Sequence, residues 1–277
     1  MSICYRSNAD FLRRDIGEGG RFYFVGTEEA PGVRAAFGPI VREEYEGDNE
    51  PMIEEGPFRP ISWRTHMHAR VPAGWRKGRI APIIRRHGFV DVQEVGDCRD
   101  RYWSAQAKRH ERAWMKEQRE WQMVEPTLEE FIAGMRATDK DILFKAMFID
   151  SLRRIARGHG GLLHLRALRR ADGPLEVGLA TVDVPECRLS FHHIAFTLPS
   201  ARASSAGTGL IMEWFDRAMA QKLHALHFGV FWAPGSPKDW KGFSRFKAQF
   251  GVQMMDLPHP LVRWAGRMRE NIQRLYV

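Results

Sequence analysis

Near the C-terminus the chain reads Gly242-Phe243-Ser244-Arg245-Phe246-Lys247-Ala248-Gln249-Phe250-Gly251, directly after the loop Trp232-Ala233-Pro234-Gly235-Ser236-Pro237. A lysine stands between two phenylalanines just ahead of a glycine, so a cation sits on an apolar segment that reads as helical. Either Lys247 snorkels to solvent while Phe243, Phe246 and Phe250 fill the core, or the cation is held in a water-poor place for a purpose. Other residues also offer chemistry. His192-His193 falls mid-strand, which sends the two rings to opposite faces of a sheet. One of them, with His193 the candidate, can face a cleft as a general base with a pKa near neutrality. A satisfied core or edge histidine is the competing reading. Gly207-Thr208-Gly209 reads as a turn ahead of a helix, where backbone N–H groups and the helix dipole hold anions. His66-Met67-His68 has the i, i+2 spacing of one strand face, but no third ligand is near in sequence and no metal is expected. A Gly-x-Ser-x-Gly elbow, a Walker loop and His-Glu-x-x-His are all absent from the sequence.

The elements that would position these residues follow from periodicity. Residues 1–98 read as mixed and loop-rich, with an aromatic strand at Arg21–Val25 and an acidic loop around Glu43–Asp48. From Arg99 to about Trp121 runs a polar stretch without Gly or Pro, which reads as a helix. Lys108, Arg109, Arg112, Lys116 and Arg119 form a basic stripe on it, partly neutralised by Glu111, Glu117 and Glu120. Trp103, Trp114 and Trp121 lie on other parts of its surface and anchor it. Thr127 with Glu130 predicts a capping box and a second helix. A third helix is expected from about Asp139 to Ala156, with Leu143, Met147 and Leu152 apolar, ended by Gly158-His159-Gly160-Gly161. The period then changes to two. Leu162–Arg169, Leu175–Val184 and Arg188–Thr197 read as an antiparallel meander. A helix with Ile211, Trp214, Phe215 and Ala218 on one face and a buried strand from Ala225 to Trp232 complete the pattern.

At 277 residues, 44% apolar and 27% charged, the chain is long enough for a sizeable core in one domain or two. Neither a membrane-spanning run nor a hydrophobic signal core is visible, so a soluble cytoplasmic protein is expected. Cys4, Cys98 and Cys187 are widely spaced, which suits a reducing compartment and argues against a thiolate zinc site. The net charge of +8, from 42 Lys plus Arg against 34 acids, favours a polyanionic partner such as RNA, a nucleotide-linked substrate or an anionic head group.

The order helix, helix, meander, Gly-rich turn, helix, strand, helix over residues 100–260 resembles the GNAT acyltransferases. The Gly242–Gly251 run resembles the G-x-x-x-F-K-x-x-F-G segment that closes the acyl-transfer site in their FemAB-like branch. The resemblance implies an α/β GNAT-like fold, a mixed central sheet flanked by helices, for residues 99–277. It implies a smaller N-terminal module over 1–98, since Arg85–Val92 looks like the end of a shortened first GNAT-like module. Lys247 would then stabilise the oxyanion of acyl transfer and Phe246 would wall the acyl pocket. The basic stripe resembles the family's R-x-x-I-R-K-A segment, which meets anionic ligands, RNA or phosphate. In the best-known relatives aminoacyl-tRNA is the donor and a peptidoglycan precursor supplies the acceptor amine. CoA-using GNAT enzymes carry Q/R-x-x-G-x-G/A before the corresponding helix. Here Arg202 stands five residues before Gly207, so the match of Arg202, Gly207 and Gly209 to a cofactor loop is stretched. The expected function is acyl or aminoacyl transfer to an amine from aminoacyl-tRNA. Its rivals are an acetyl-CoA-dependent N-acetyltransferase and a non-catalytic RNA- or partner-binding protein.

Overall fold

The alternating segment after Gly161 forms the meander that its period of two predicts. In the computed structural model, β7 (Leu163–Arg169), β8 (Val177–Val184) and β9 (Leu189–Thr197) pair antiparallel in sequence order. The structure describes residues 21–24, 40–46, 50, 53, 59–64, 71–77, 86–92, 99, 102–140, 142–185, 188–234, 236, 238, 240–256 and 261–265. The three cysteines, His66 and His68 lie outside them.

Two compact units share these residues, Met1–Arg85 with Leu257–Val277, and Arg86–Asp256. In the first, β1 (Arg21–Phe24), β2 (Ile40–Glu46), β3 (Arg59–Arg64), β4 (Arg76–Lys77) and β12 (Leu261–Ala265) make a sheet of order β1-β2-β3-β12-β4. Its β2–β3 pair is parallel. The stretch from Glu43 expected as an acidic loop is strand through Glu46, because it pairs with β1 on one side and β3 on the other. Ile61, Trp63, Trp75 and Leu261 form this unit's core.

The second unit has a seven-stranded sheet of order β11-β5-β10-β9-β8-β7-β6, adding β5 (Arg86–Asp91), β6 (Gln122–Val124), β10 (Ala225–Phe231) and β11 (Gln253–Asp256). Because β5 pairs with both β10 and β11, the unit starts at Arg86, ahead of the sequence boundary at 98/99. Residues 257–277 group with the N-terminal unit, since β12 pairs with β3 and β4.

Five helices are described: α1 (Ala105–Glu117), α2 (Leu128–Arg136), α3 (Ile142–His159), α4 (Ala206–Ala220) and α5 (Trp240–Ala248). Ser104 caps α1 by accepting from Ala107 N, and Thr127 with Glu130 completes the capping box of α2. Leu152 of α3 is buried, while the side chains of Leu143 and Met147 lie outside the described residues. Consecutive β8 residues point to opposite faces. Leu179 belongs to a core shared with Trp114 of α1, Trp214 of α4 and Phe250 after α5, whereas Ala180 belongs to one shared with Phe131 of α2 and Leu152 of α3. The sheet therefore lies between α1, α4 and α5 on one face and α2 and α3 on the other.

A buried polar network locks α4 to the meander. Asp183, 2% exposed, accepts from Ser190 Oγ and from the Arg217 guanidinium. Trp214 Nε1 donates to Ser190 Oγ at 2.6 Å, and Arg217 donates to Thr181 Oγ1 at 2.7 Å. A buried carboxylate with this many donors meets the condition for keeping a charge in a core.

Candidate functional site

Between β9 and β10 the parallel pairing lasts only three residues, Ala225↔Leu189, Leu226↔Ser190 and His227↔Phe191. Both strands continue, β9 to Thr197 and β10 to Phe231, so they separate after His227. Irregularities on both strands mark the place. The β10–β5 register shifts between His227 and Gly229, and the β9–β8 register shifts where Thr181↔His192 follows Ala180↔Ile194. Gly229 has φ +74°, a backbone that only glycine adopts without strain. Separation leaves backbone groups of β10 without a strand partner, and one of them is taken by a side chain.

That side chain is Lys247. Its Nζ donates to Phe228 O at 2.6 Å, and it lies 5.2 Å from the ring centre of Phe243 and 5.9 Å from that of Phe231. The side chain is half-buried, with Nζ turned inward to the gap between the strands and held on the Phe228 carbonyl. Loss of water around the ammonium lowers its pKa from 10.5 to about 7. Aromatic faces and one carbonyl replace only part of the hydration that was lost. Lys247 is thus a cation at the edge of neutrality, ready to gain from any negative charge placed beside it.

Helix α5 can hold it there because its other residues are fixed. Phe246 packs edge-on against fully buried Phe250, with ring centres 5.1 Å apart, and Gly251 with φ +74° ends the segment. Ser244 Oγ accepts from Trp232 N at 2.7 Å, tying the helix to the end of β10. Ser104 N donates to Gln249 O at 2.8 Å, which joins the start of α1 to the same place.

The histidines distribute around this point. His192 has Trp214 of α4 as its ring neighbour at 6.1 Å, whereas His193 has Phe148 of α3 at 5.8 Å, so the two face opposite sides of the sheet. Burial first, and the Lys247 charge second, push His192 well below the usual imidazole value. The same two causes lower His227 to about 4. His227 Nε2 lies 3.1 Å from His87 Nδ1, and Phe191 packs on His227 with ring centres 5.1 Å apart. Sequence reasoning misses both members of this pair. They are lone histidines in separate strands, 140 residues apart, and nothing local marks them.

Of the residues expected to hold a cofactor, Gly209 has a packing role and Arg202 an ion pair. Gly207 and Gly209 lie inside the first turn of α4, with Ser205 at the N-cap, and not in a turn ahead of it. A methyl on Gly209 would meet Trp114 Cε2 at 2.3 Å, and one on Gly207 would meet Phe246 Cζ at 3.7 Å. Gly209 therefore lets α1 and α4 approach closely. The N–H groups of Thr208 and Gly209 are bonded to Ser205 O, and Ser205 N donates to the Glu117 carboxylate at 3.0 Å. An anion from the protein itself already stands at the positive end of α4. Arg202 pairs with Asp139 at 2.5 Å, and this bond lowers the Asp139 pKa. On the basic stripe Arg109, Arg112, Lys116 and Arg119 are exposed and Lys108 is half-buried, while Ala107 and Trp114 face the core. The stripe is a solvent face, brought into the same layer as α5 but not into contact with Lys247. Among the described residues no group of three or more His, Cys, Asp or Glu side chains is placed to hold a metal ion, and no helix is long and apolar enough to cross a membrane.

No family model and no curated protein matches the sequence. Solved structures do match. FemX aligns at 9% identity over 75% of this chain and 66% of its own, with a TM-score of 0.51. A conserved protein of unknown function from Bacteroides thetaiotaomicron aligns at 10% identity over 75% of this chain and 70% of its own, with a TM-score of 0.50. The chain has a GNAT-like, FemAB-related fold. A tandem GNAT protein from the clavulanic acid biosynthesis pathway is more distant, at 12% identity, 76% and 65% coverage and a TM-score of 0.47.

Proposed function

We propose that the protein transfers an aminoacyl or acyl group to an amine, with the reacting carbonyl placed where β9 and β10 separate. The supporting observation is the Lys247 ammonium, desolvated among aromatic rings with Phe228 O as hydrogen-bond partner at 2.6 Å. When an amine attacks an acyl ester, the carbonyl oxygen takes on a full negative charge. A fixed cation in a site with little water opposes that charge without reorganising solvent. Lys247 gains more from the oxyanion than from the neutral carbonyl, and this difference is what lowers a barrier. The rings of Phe243 and Phe231 flank the ammonium, while Phe246, on the same helix, packs on Phe250 and would line the acyl pocket from that side. Collapse of the tetrahedral adduct restores the carbonyl and expels the alcohol of the donor.

Aminoacyl-tRNA is the donor in this reading, with a cell-wall precursor of the peptidoglycan type as source of the amine. Two observations favour it over acetyl-CoA. The Glu117 carboxylate occupies the N-terminus of α4, where a pyrophosphate would meet a like charge, and Arg202 is engaged by Asp139. The exposed stripe Arg109, Arg112, Lys116 and Arg119, with Lys108 at its edge, suits an RNA backbone. Calorimetric titration with acetyl-CoA is expected to show no binding, while filter binding with charged tRNA shows retention. Tight acetyl-CoA binding would overturn the donor assignment.

A further inference from the structure

We propose that His227, oriented by His87, takes the proton that the attacking amine loses. This rests on the acyl-transfer reading above and adds a residue to it. His227 is the last residue of β10 that pairs with β9, and the carbonyl that holds Lys247 belongs to the next residue. It therefore stands at the apex of the gap between the strands. The ring is held on both sides, by Phe191 and by the 3.1 Å contact between its Nε2 and His87 Nδ1. With the proton on His227 Nε2, that nitrogen donates to His87 and the lone pair is left on His227 Nδ1. This Nδ1 is buried, and no hydrogen-bond partner for it exists among the described residues. Buried nitrogens without partners are unusual in folded proteins, and of those among the described residues, which include Trp232 Nε1 and His224 Nε2, the His227 atom belongs to the residue where β9 and β10 separate. A base whose ring is fixed by a second group, one residue from the carbonyl that holds the Lys247 ammonium, is the arrangement that amine activation requires.

The neighbouring cation makes the timing coherent. Burial, and after it the Lys247 charge, keep His227 neutral at rest, so its lone pair is available. As the oxyanion forms, it cancels the Lys247 charge and removes part of the penalty for a proton on His227. In the step itself the amine lone pair forms the C–N bond, the carbonyl electron pair moves to oxygen, and an N–H proton passes to His227 Nδ1. On collapse the C=O bond re-forms, the ester C–O bond breaks with its electrons, and the leaving oxygen takes the proton from His227. His193, the base expected from sequence, packs on Phe148 instead.

The test is transfer from labelled aminoacyl-tRNA to an amine acceptor by the full chain, its His227→Gln and its His227→Ala variants. Turnover is expected to fall roughly 100-fold or more in both, with charged-tRNA retention unchanged. Added imidazole should restore part of the His227→Ala rate, since it fits the vacated space and carries the same lone pair. Turnover of His227→Gln at the wild-type level overturns the proposal. So does a folded His227→Ala protein whose lost turnover imidazole fails to restore, because the residue then only packs. If the wild-type chain transfers no acyl group, the acyl-transfer reading fails first. A working wild type with an equally active His227→Gln sinks the histidine role alone.

Discussion

Lys247 is legible in the sequence because a cation inside an apolar helix conflicts with the hydrophobic pattern around it. What it does there is not legible, since periodicity fixes the face of a helix and not the path of a four-carbon stem. The structure resolves this by turning Nζ onto Phe228 O. A stability consequence follows from its pKa of about 7, against 10.5 when free. The folded state then binds fewer protons than the unfolded state between those values, so stability rises with pH across that window. Below pH 7 both states carry the proton and the cost of burying the charge is present in full. Replacing the ammonium with an apolar group of similar length removes that cost. Lys247→Met is therefore expected to be more stable than the wild type at pH 7, by on the order of 2 kcal/mol. Chemical denaturation at pH 7 and pH 10 should show the advantage shrinking at the higher pH. An advantage that grows with pH would mean the lysine is not desolvated. The same titration acts on rate. Catalysis that needs the cation should decline as pH rises through about 7, and kcat/KM followed to pH 9 checks it.

At the scale of elements, the meander, the capping box of α2 and the buried strand β10 are all readable, because each rests on local period or local capping chemistry. The α4 N-terminus is not. Gly207 and Gly209 look like an anion loop in one dimension, yet the space beside Gly209 is filled by Trp114, 95 positions earlier and on another helix. Glu117 reads as a partial neutraliser of a basic stripe until α1 and α4 are packed, when its carboxylate reaches Ser205 N. Long-range pairing decides both. Gly209→Ala places a methyl 2.3 Å from the Trp114 ring, so α1 and α4 must part or the indole must move. A loss of roughly 2 kcal/mol is expected, visible as a lowered denaturation midpoint. Gly207→Ala, with its nearest neighbour at 3.7 Å, should change stability far less. Equal effects of the two substitutions would contradict the helix-packing role. The strand β2 is misread from sequence for a related reason, since its acidic composition hides pairing with β1 and β3.

For the whole molecule, a charge of +8 narrows the partners without choosing among them, and the stripe on α1 gives part of that charge a place. Replacing Arg109, Arg112 and Lys116 together with Gln removes exposed cations while leaving the buried side of α1 intact. Charged-tRNA retention should weaken, and its dependence on salt should flatten by about one in slope for each phosphate that is no longer neutralised. An unchanged slope would assign the stripe to solvation alone. The fold is shared with FemX at 9% identity, and a shared fold leaves chemistry to be argued from the site. The most direct measurement is therefore transfer of a labelled aminoacyl group from tRNA to an amine acceptor by the wild-type chain and by Lys247→Ala, with circular dichroism recorded on both. Transfer by the wild type and a loss of about 100-fold or more in a folded Lys247→Ala protein is the predicted result. Equal transfer by the two proteins, or none by the wild type, would contradict the account.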